Sequence, residues 1–406
     1  MPQKTVTHLA GIRTQLSASA PVPLRPVSTT GLSCGSTAAP SGTVREEPWA
    51  QQRYGLDRLA PIADGTGTVV AVIDSGVDPT HPQLAGRVLH GTDFLGDGGE
   101  GAVDCVGHGT AVASLIAAGP TPGVAFRGVA PETQILPVRV SEQQIVDGAQ
   151  TGRTVPPDRL AAAVRWAVDN DADVLNMSVV LYLDDPAVRS AIGYAVANDV
   201  IVVAAVGNQH RTPGPAADPT PYPAAYAGVL GIGAITEDGR AAGFSQTGGY
   251  VDLVAPGGHV LTAVPGGGHA YADGTSYAAP FGAATAALVR QRWPDLTATE
   301  VTARLVATAD PAPGGPASDA YGYGVLNPYR AVTDTRPAAP PARSGPSATP
   351  AIPAAEAIAA GHPNTPRALT LAATGLAAAV VTLVLATVLP RARRRGWRPP
   401  TGSDQQ

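Results

Sequence analysis

Lysine is all but missing from this chain: Lys4 is the only one, and arginine carries nearly all the positive charge. That skew reads as a bias of composition and not as a functional signal. Charge of either sign is sparse, at 15% of residues, and the net charge is -5. A nucleic-acid partner calls for a strong basic excess, so none is expected. Cysteine is scarce too, with Cys34 and Cys105 alone. Such a pair suggests a disulfide in an exported protein and two free thiols in a cytosolic one, so the compartment has to be decided first. The opening, MPQKTVTHLAGIRTQL, lacks the apolar run of an export signal. Either the true start lies upstream of Met1, or export uses a different signal.

What is present is a substantial core. Hydrophobic residues are 44% of the 406, which argues against wholesale disorder. The 47 Gly and 40 Pro exceed ordinary usage and point to both linkers and loops around a packed sheet. Residues 1–44 are rich in Ser, Thr, Ala and Pro without a clear period and read as an extended arm. The region 45–334 then becomes regular. Apolar runs at Thr68–Ile73, Asp173–Met177, Val200–Val206 and Val229–Ala234 read as buried strands. Helices are expected at Thr110–Ala118, Arg159–Asn170, Pro186–Asn198, Ser276–Arg290 and Ala298–Thr308. Strands alternating with helices predict an α/β domain whose parallel sheet is covered on both faces. Its ligands bind at the carboxyl ends of the strands.

Residues 335–367 are dominated by Pro and Ala and read as a semi-rigid linker. Residues 368–389, ALTLAATGLAAAVVTLVLATVL, carry no charge. As a helix this run spans about 30 Å, a bilayer core, and predicts a transmembrane helix. Arg391, Arg393, Arg394, Arg395 and Arg398 follow, which places the tail 390–406 in the cytoplasm and the rest outside. An oxidising exterior favours a Cys34–Cys105 disulfide.

Four short motifs carry the chemistry. Asp74 ends an apolar strand in Val72-Ile73-Asp74-Ser75-Gly76, where a buried carboxylate needs a partner such as a histidine N–H. His108 opens a helix in Gly107-His108-Gly109-Thr110, and its two glycines let backbones approach closely. Ser276 stands at a helix start in Gly274-Thr275-Ser276-Tyr277-Ala278-Ala279-Pro280, where free N–H groups favour developing negative charge. Asn208 follows a strand in Ala205-Val206-Gly207-Asn208 and offers an amide donor. Singly, each fits an ordinary role: a turn Asp, a satisfied His, a Ser cap, an Asn in a turn. Asp93, Asp97 and Asp104 lie near one another without calcium-loop spacing and read as a solvated loop.

In that joint order the motifs resemble the subtilase family of serine peptidases, whose chain order is Asp, His, Ser. The resemblance covers about residues 45–332, and the GHGT and GTSYAAP strings carry it. It implies a subtilisin-like three-layer fold, with Ser276 as nucleophile, His108 as general base and Asp74 as the group that orients the imidazole. Asn208 and the Ser276 N–H become the oxyanion hole. Ser178, Val179 and Val180 become the segment that pairs with substrate backbone. Many subtilases have Leu-Gly after that serine, so Val179-Val180 narrow the nearby subsites. Neither a cofactor nor a metal is implied. Within the family, Glu47–Leu59 (EPWAQQRYGLDRL) is similar to the entry segment of mycosins, the subtilases of type VII secretion systems. That likeness implies protein or peptide substrates, a membrane anchor, contact with secretion components, and an arm tied near the His motif by a cysteine. The loop Gln209–Tyr222 departs from it, lacking the cysteine of a second disulfide. Two functions stay open: an envelope endopeptidase, or a structural component of the secretion complex. A general degradative protease fits a tethered chain less well.

Overall fold

The computed structural model describes residues 44–96, 100–146, 149–210, 217–313 and 317–335. Its strands are β1 Val69–Asp74, β2 Thr92–Asp93, β3 Gln134–Arg139, β4 Gln144–Val146, β5 Ala149–Thr151, β6 Val174–Met177, β7 Ile201–Ala205, β8 Val229–Ile235, β9 Leu253–Pro256, β10 Val260–Ala263 and β11 His269–Ala272. Its helices are α1 Trp49–Tyr54, α2 Leu56–Leu59, α3 His108–Ala117, α4 Pro157–Asp169, α5 Pro186–Ala197, α6 Thr275–Arg292, α7 Ala298–Ala307 and α8 Pro328–Thr333.

The main sheet has the order β2-β3-β1-β6-β7-β8-β9, and neighbouring strands run parallel. Its central strands β1, β6, β7, β8 and β9 are largely apolar because both faces are covered. Along β1, Val70 and Val72 enter one core with Leu115 of α3 and Phe281 of α6. Ala71 and Ile73 enter the other, with Val164 of α4 and Ile192 of α5. The two-residue period of the strand thus divides six residues between two layers of helices. Helix α6 lies close on the sheet because its buried length is rich in small residues, with six alanines and Gly282 among its 18 residues. A Cβ on Gly282 would already sit 3.1 Å from Val203 and from Ile232.

The strands and helices expected from periodicity are present within a residue or two of their expected ends. Others had no such signal. Strand β3 carries Pro137, which argues against a strand inside a sheet. The structure resolves this by orientation. Ile135 donates its N–H to Arg87 O on the outer side, and the two-residue period puts the Pro137 nitrogen on that same side. The ladder to β1 therefore loses nothing. The arm before Val44, the linker from residue 336 on, the apolar run 368–389 and the basic tail lie outside the described residues. Among the described residues no helix is long and apolar enough to cross a membrane.

The expected solvated loop of aspartates is corrected. Asp93 is buried against the Arg139 guanidinium at 2.8 Å, with side-chain exposures of 2% and 1%. Asp104 is buried as well. Asp97 lies outside the described residues. Carboxylates that are paired or hydrogen-bonded can leave water, and nothing in their spacing announces the partner.

Candidate active site

The chain leaves β1 toward β3 on one side and returns to β6 on the other, so the strand order reverses at β1. The carboxyl end of that strand is where such sheets open a crevice. Asp74 is its last residue. Its Oδ1 accepts from the Ser75 N–H at 2.6 Å and from His108 Nδ1 at 2.7 Å. The carboxyl is 3% exposed and the imidazole 26%, so the pair leads from the interior to the surface. His108 is the first residue of α3, and glycine allows that helix to start so close. A Cβ on Gly109 would lie 2.0 Å from Gly76 O, and Gly107 has φ +81.

Asp104 fixes the same helix end from below. Its Oδ1 accepts from Gly107 N–H and Ser75 Oγ, both at 2.8 Å. Its Oδ2 accepts from Thr110 N–H at 2.7 Å and Thr110 Oγ1 at 2.6 Å. Ser75 Oγ in turn accepts from Gly109 N–H at 2.8 Å. Burial raises the Asp104 pKa against the pull of these donors, and the nearby Asp74 charge adds to the rise. At His108 burial opposes the charged form. The Asp74 charge, its hydrogen bond and the Asp104 charge outweigh it, and the pKa stands above the ordinary histidine value.

Ser276 is the second residue of α6. Its backbone N–H belongs to the first turn, where no intrahelical acceptor exists. Its Oγ donates to Ser178 O at 3.3 Å and not to His108. Pro280, four residues on, removes the N–H that would bond the Ser276 carbonyl. The Ser178 hydroxyl donates to that carbonyl instead, at 3.0 Å, and accepts from Asn176 Nδ2 at 3.1 Å. The serine turn is thereby tied to the end of β6.

Asn208 follows β7 in the same crevice and is exposed. Its Oδ1 accepts from the N–H and the Oγ1 of Thr275, both at 2.8 Å. A backbone N–H is only a donor, so this contact decides which amide atom is oxygen. The Nδ2 is left facing the cleft, 3.4 Å from where a Cβ on Gly274 would lie. Val179 and Val180 are half-buried, and their backbone groups form no hydrogen bond with the described residues. An extended peptide finds an open edge there. At the next residue the edge is closed, since Leu181 and Tyr222 exchange both backbone bonds, at 2.7 and 2.8 Å.

The subtilase family pattern matches residues 65–324. This chain belongs to the subtilase family. It is a serine endopeptidase. A thermophilic serine proteinase of Bacillus sp. (strain AK1) is 35% identical, over 66% of this chain and 62% of the relative. Mycosin-1 of Mycobacterium tuberculosis (strain ATCC 25618 / H37Rv) is 34% identical, over 78% of this chain and 80% of the relative. The structure of MycP1, described as a serine protease and an essential component of the type VII (ESX-1) secretion system, matches with TM-score 0.63 at 32% identity. That match covers 76% of this chain and 94% of the other.

The structure thus brings Asp74, His108, Ser276, Asn208 and the segment Ser178–Val180 to one crevice. Cys105 lies in the loop before His108 and is not a free thiol. Cys34 is outside the described residues. In the sequence Asp104 reads as part of a solvated loop and Ser75 and Thr275 carry no role of their own, whereas in the structure all three hold the other residues in place. Thr275 stands inside the GTSYAAP string, so its signal was available. Asp104 sits four residues before the histidine, and only its hydrogen bonds give it away.

Proposed function

We propose that this subtilase cuts proteins at the outer face of the cell envelope, with Asp74, His108 and Ser276 as its triad. The contact that carries the reading is the 2.7 Å hydrogen bond from His108 Nδ1 to the buried Asp74 carboxylate. It fixes the proton on Nδ1 and leaves Nε2 as the base. Rotation of the Ser276 side chain away from Ser178 O brings its hydroxyl to that base. The hydroxyl oxygen then attacks the scissile carbonyl, and His108 takes its proton. The imidazolium is stabilised by Asp74 and later gives the proton to the departing amine. The oxyanion meets the Asn208 amide and the Ser276 N–H. In subtilisin the loss of one such donor lowers kcat by about 10²–10³. Water then hydrolyses the acyl-enzyme by the same proton path. The substrate lies along Val179-Val180 as an added strand.

The rest of the chain is read as a delivery system. Residues 1–44 form an arm on the domain 45–334, fastened by a Cys34–Cys105 disulfide. Residues 335–367 form a spacer, 368–389 a membrane-spanning helix and 390–406 a cytoplasmic tail. Likeness to mycosin-1 and to MycP1 supports a type VII secretion setting. The description of MycP1 as an essential component also favours a second reading, a structural role in the secretion complex.

Two measurements on the full chain separate these. A fluorophosphonate probe should label wild type at Ser276 and leave Ser276→Ala unlabelled; labelling elsewhere, or none, sinks the triad. In the native host, deletion should stop secretion of type VII substrates. Ser276→Ala should leave secretion running, with one or more secreted proteins uncut. Normal export in the deletion strain removes the secretion role and leaves the peptidase standing.

A further inference from the structure

The loop that carries Asn208 is held from two sides. In front, Thr275 takes the side-chain oxygen, as described, and its Oγ1 also accepts from Gly207 N–H at 3.1 Å. Behind lies a polar contact that the reaction itself does not use. Gln246 is completely buried. Its backbone N–H donates to Gly207 O at 3.1 Å, and its Oε1 accepts from Gln209 N–H at 3.3 Å. The same Oε1 accepts from the Tyr182 hydroxyl at 2.9 Å, while Nε2 is anchored on Pro219 O at 2.6 Å. The Asn208 backbone N–H faces the Tyr182 hydroxyl oxygen. Nothing separates the loop from this pair. A Cβ on Gly207, with φ +90, would lie 2.1 Å from Gln246 Oε1 and 3.0 Å from the Tyr182 hydroxyl.

Tyr182 is four residues beyond Ser178, so its ring crosses from the edge that receives substrate to the loop that offers the amide. We infer that Tyr182, held by Gln246, is a positioning residue that sets the Asn208 amide for the oxyanion. The inference rests on the reading of Asn208 as the oxyanion donor. Its physical basis is preorganisation. An exposed amide on a short glycine loop stabilises developing charge only if it does not have to reorient at the moment of attack. Thr275 fixes the plane of the side chain, and the Tyr182–Gln246 pair fixes the backbone that carries it. Burial holds the Tyr182 hydroxyl above the ordinary tyrosine pKa, so it stays protonated and keeps donating to Gln246. Without the hydroxyl, Gln246 Oε1 loses a donor and the Asn208 N–H loses the oxygen it faces. The loop is then free to drift by a few tenths of an ångström.

The test is a double-mutant cycle on the full chain with a fluorophosphonate, whose phosphoryl oxygen takes the oxyanion position as Ser276 displaces fluoride. Tyr182→Phe, Asn208→Ala and the double variant are compared for the labelling rate at saturation and for the probe's half-saturation concentration, with thermal unfolding beside them. Tyr182→Phe should slow saturated labelling by about tenfold, less than loss of the donor itself. Half-saturation should stay within about twofold. In the Asn208→Ala background the same change should cost less than about threefold, because a latch on a missing donor has nothing to position. Equal losses in both backgrounds, or no loss in wild type while Asn208→Ala is slow, overturn the latch alone. If Asn208→Ala labels at the wild-type rate, the oxyanion assignment falls and the latch with it.

Discussion

At the scale of single residues, the pair that matters most is Asp74 with His108. The raised pKa of His108 has a sign that activity can read. Only neutral imidazole accepts the serine proton, so kcat/KM should fall as the medium is acidified. The midpoint of that fall should stand above the ordinary histidine value of 6.5. Burial alone would have moved it the other way, and the carboxylate reverses it. Asp74→Asn should therefore move the acid limb to lower pH while lowering kcat by about 10⁴, because the wrong tautomer is then favoured. A pH profile of peptide-amide hydrolysis checks both. An unmoved acid limb would mean that another group titrates there. Asp74, His108 and Ser276 stood out in the sequence because each sits in a string of residues with its own local demand. Glycine is needed where Gly109 meets Gly76 O, and proline where Pro280 frees the serine carbonyl. Asp104 was not legible, because its four hydrogen bonds come from residues whose orientation exists only in the fold.

Among the elements, the hairpin β10–β11 is the one whose stability should follow pH. It had no clear signal in the sequence, its strands being four residues each. Two buried histidines hold it. His269 Nε2 meets Gln83 Oε1 at 2.7 Å, and His81 Nε2 meets Gly268 O at 3.1 Å, with the rings 5.8 Å apart. Burial first, and then the neighbouring His81, push His269 down to about 4. His81 is lowered as well, by burial, with Asp78 and the Gly268 hydrogen bond pulling the other way. A lowered histidine pKa means that the unfolded chain binds the proton first, so stability rises with pH across the window from about 4 to 6.5. Acidification from pH 6.5 to about pH 5 should remove on the order of 1–2 kcal/mol through His269. His108 acts in the opposite sense. Its contribution is present below the unfolded histidine value and is lost as pH rises through its raised folded one. The clean measurement is therefore a difference: urea unfolding of wild type and His269→Gln at both pH values. The variant should lose less stability on acidification, and parallel losses would refute the assignment.

For the whole molecule, the prediction concerns the side of the membrane on which the catalytic region stands. The run 368–389 and its arginine flank predict one crossing, and a reporter tests it directly. Fused after Gln406 it should behave as cytoplasmic, and fused near Pro353 as external. The opposite pattern would overturn the proposed location. An external domain also makes a disulfide permissible, so mass spectrometry of the non-reduced protein should find the Cys34 and Cys105 peptides linked. Two free thiols would leave the arm unfastened. The sequence by itself determined the α/β class, the main parallel strands and the motifs that meet in one crevice. These depend on local pattern: apolar runs of strand length, helices of helical period, and glycine or proline where no other residue fits. Only the tertiary structure decided that Pro137 lies in a sheet strand, that Asp93 and Asp104 are buried, and that Tyr182 and Gln246 meet behind Asn208. Each of those depends on which way a side chain or an N–H faces once distant segments pack. Tyr182 and Gln246 are 64 residues apart along the chain. A hydrogen bond between them leaves no periodicity to read, because its direction is fixed by the fold.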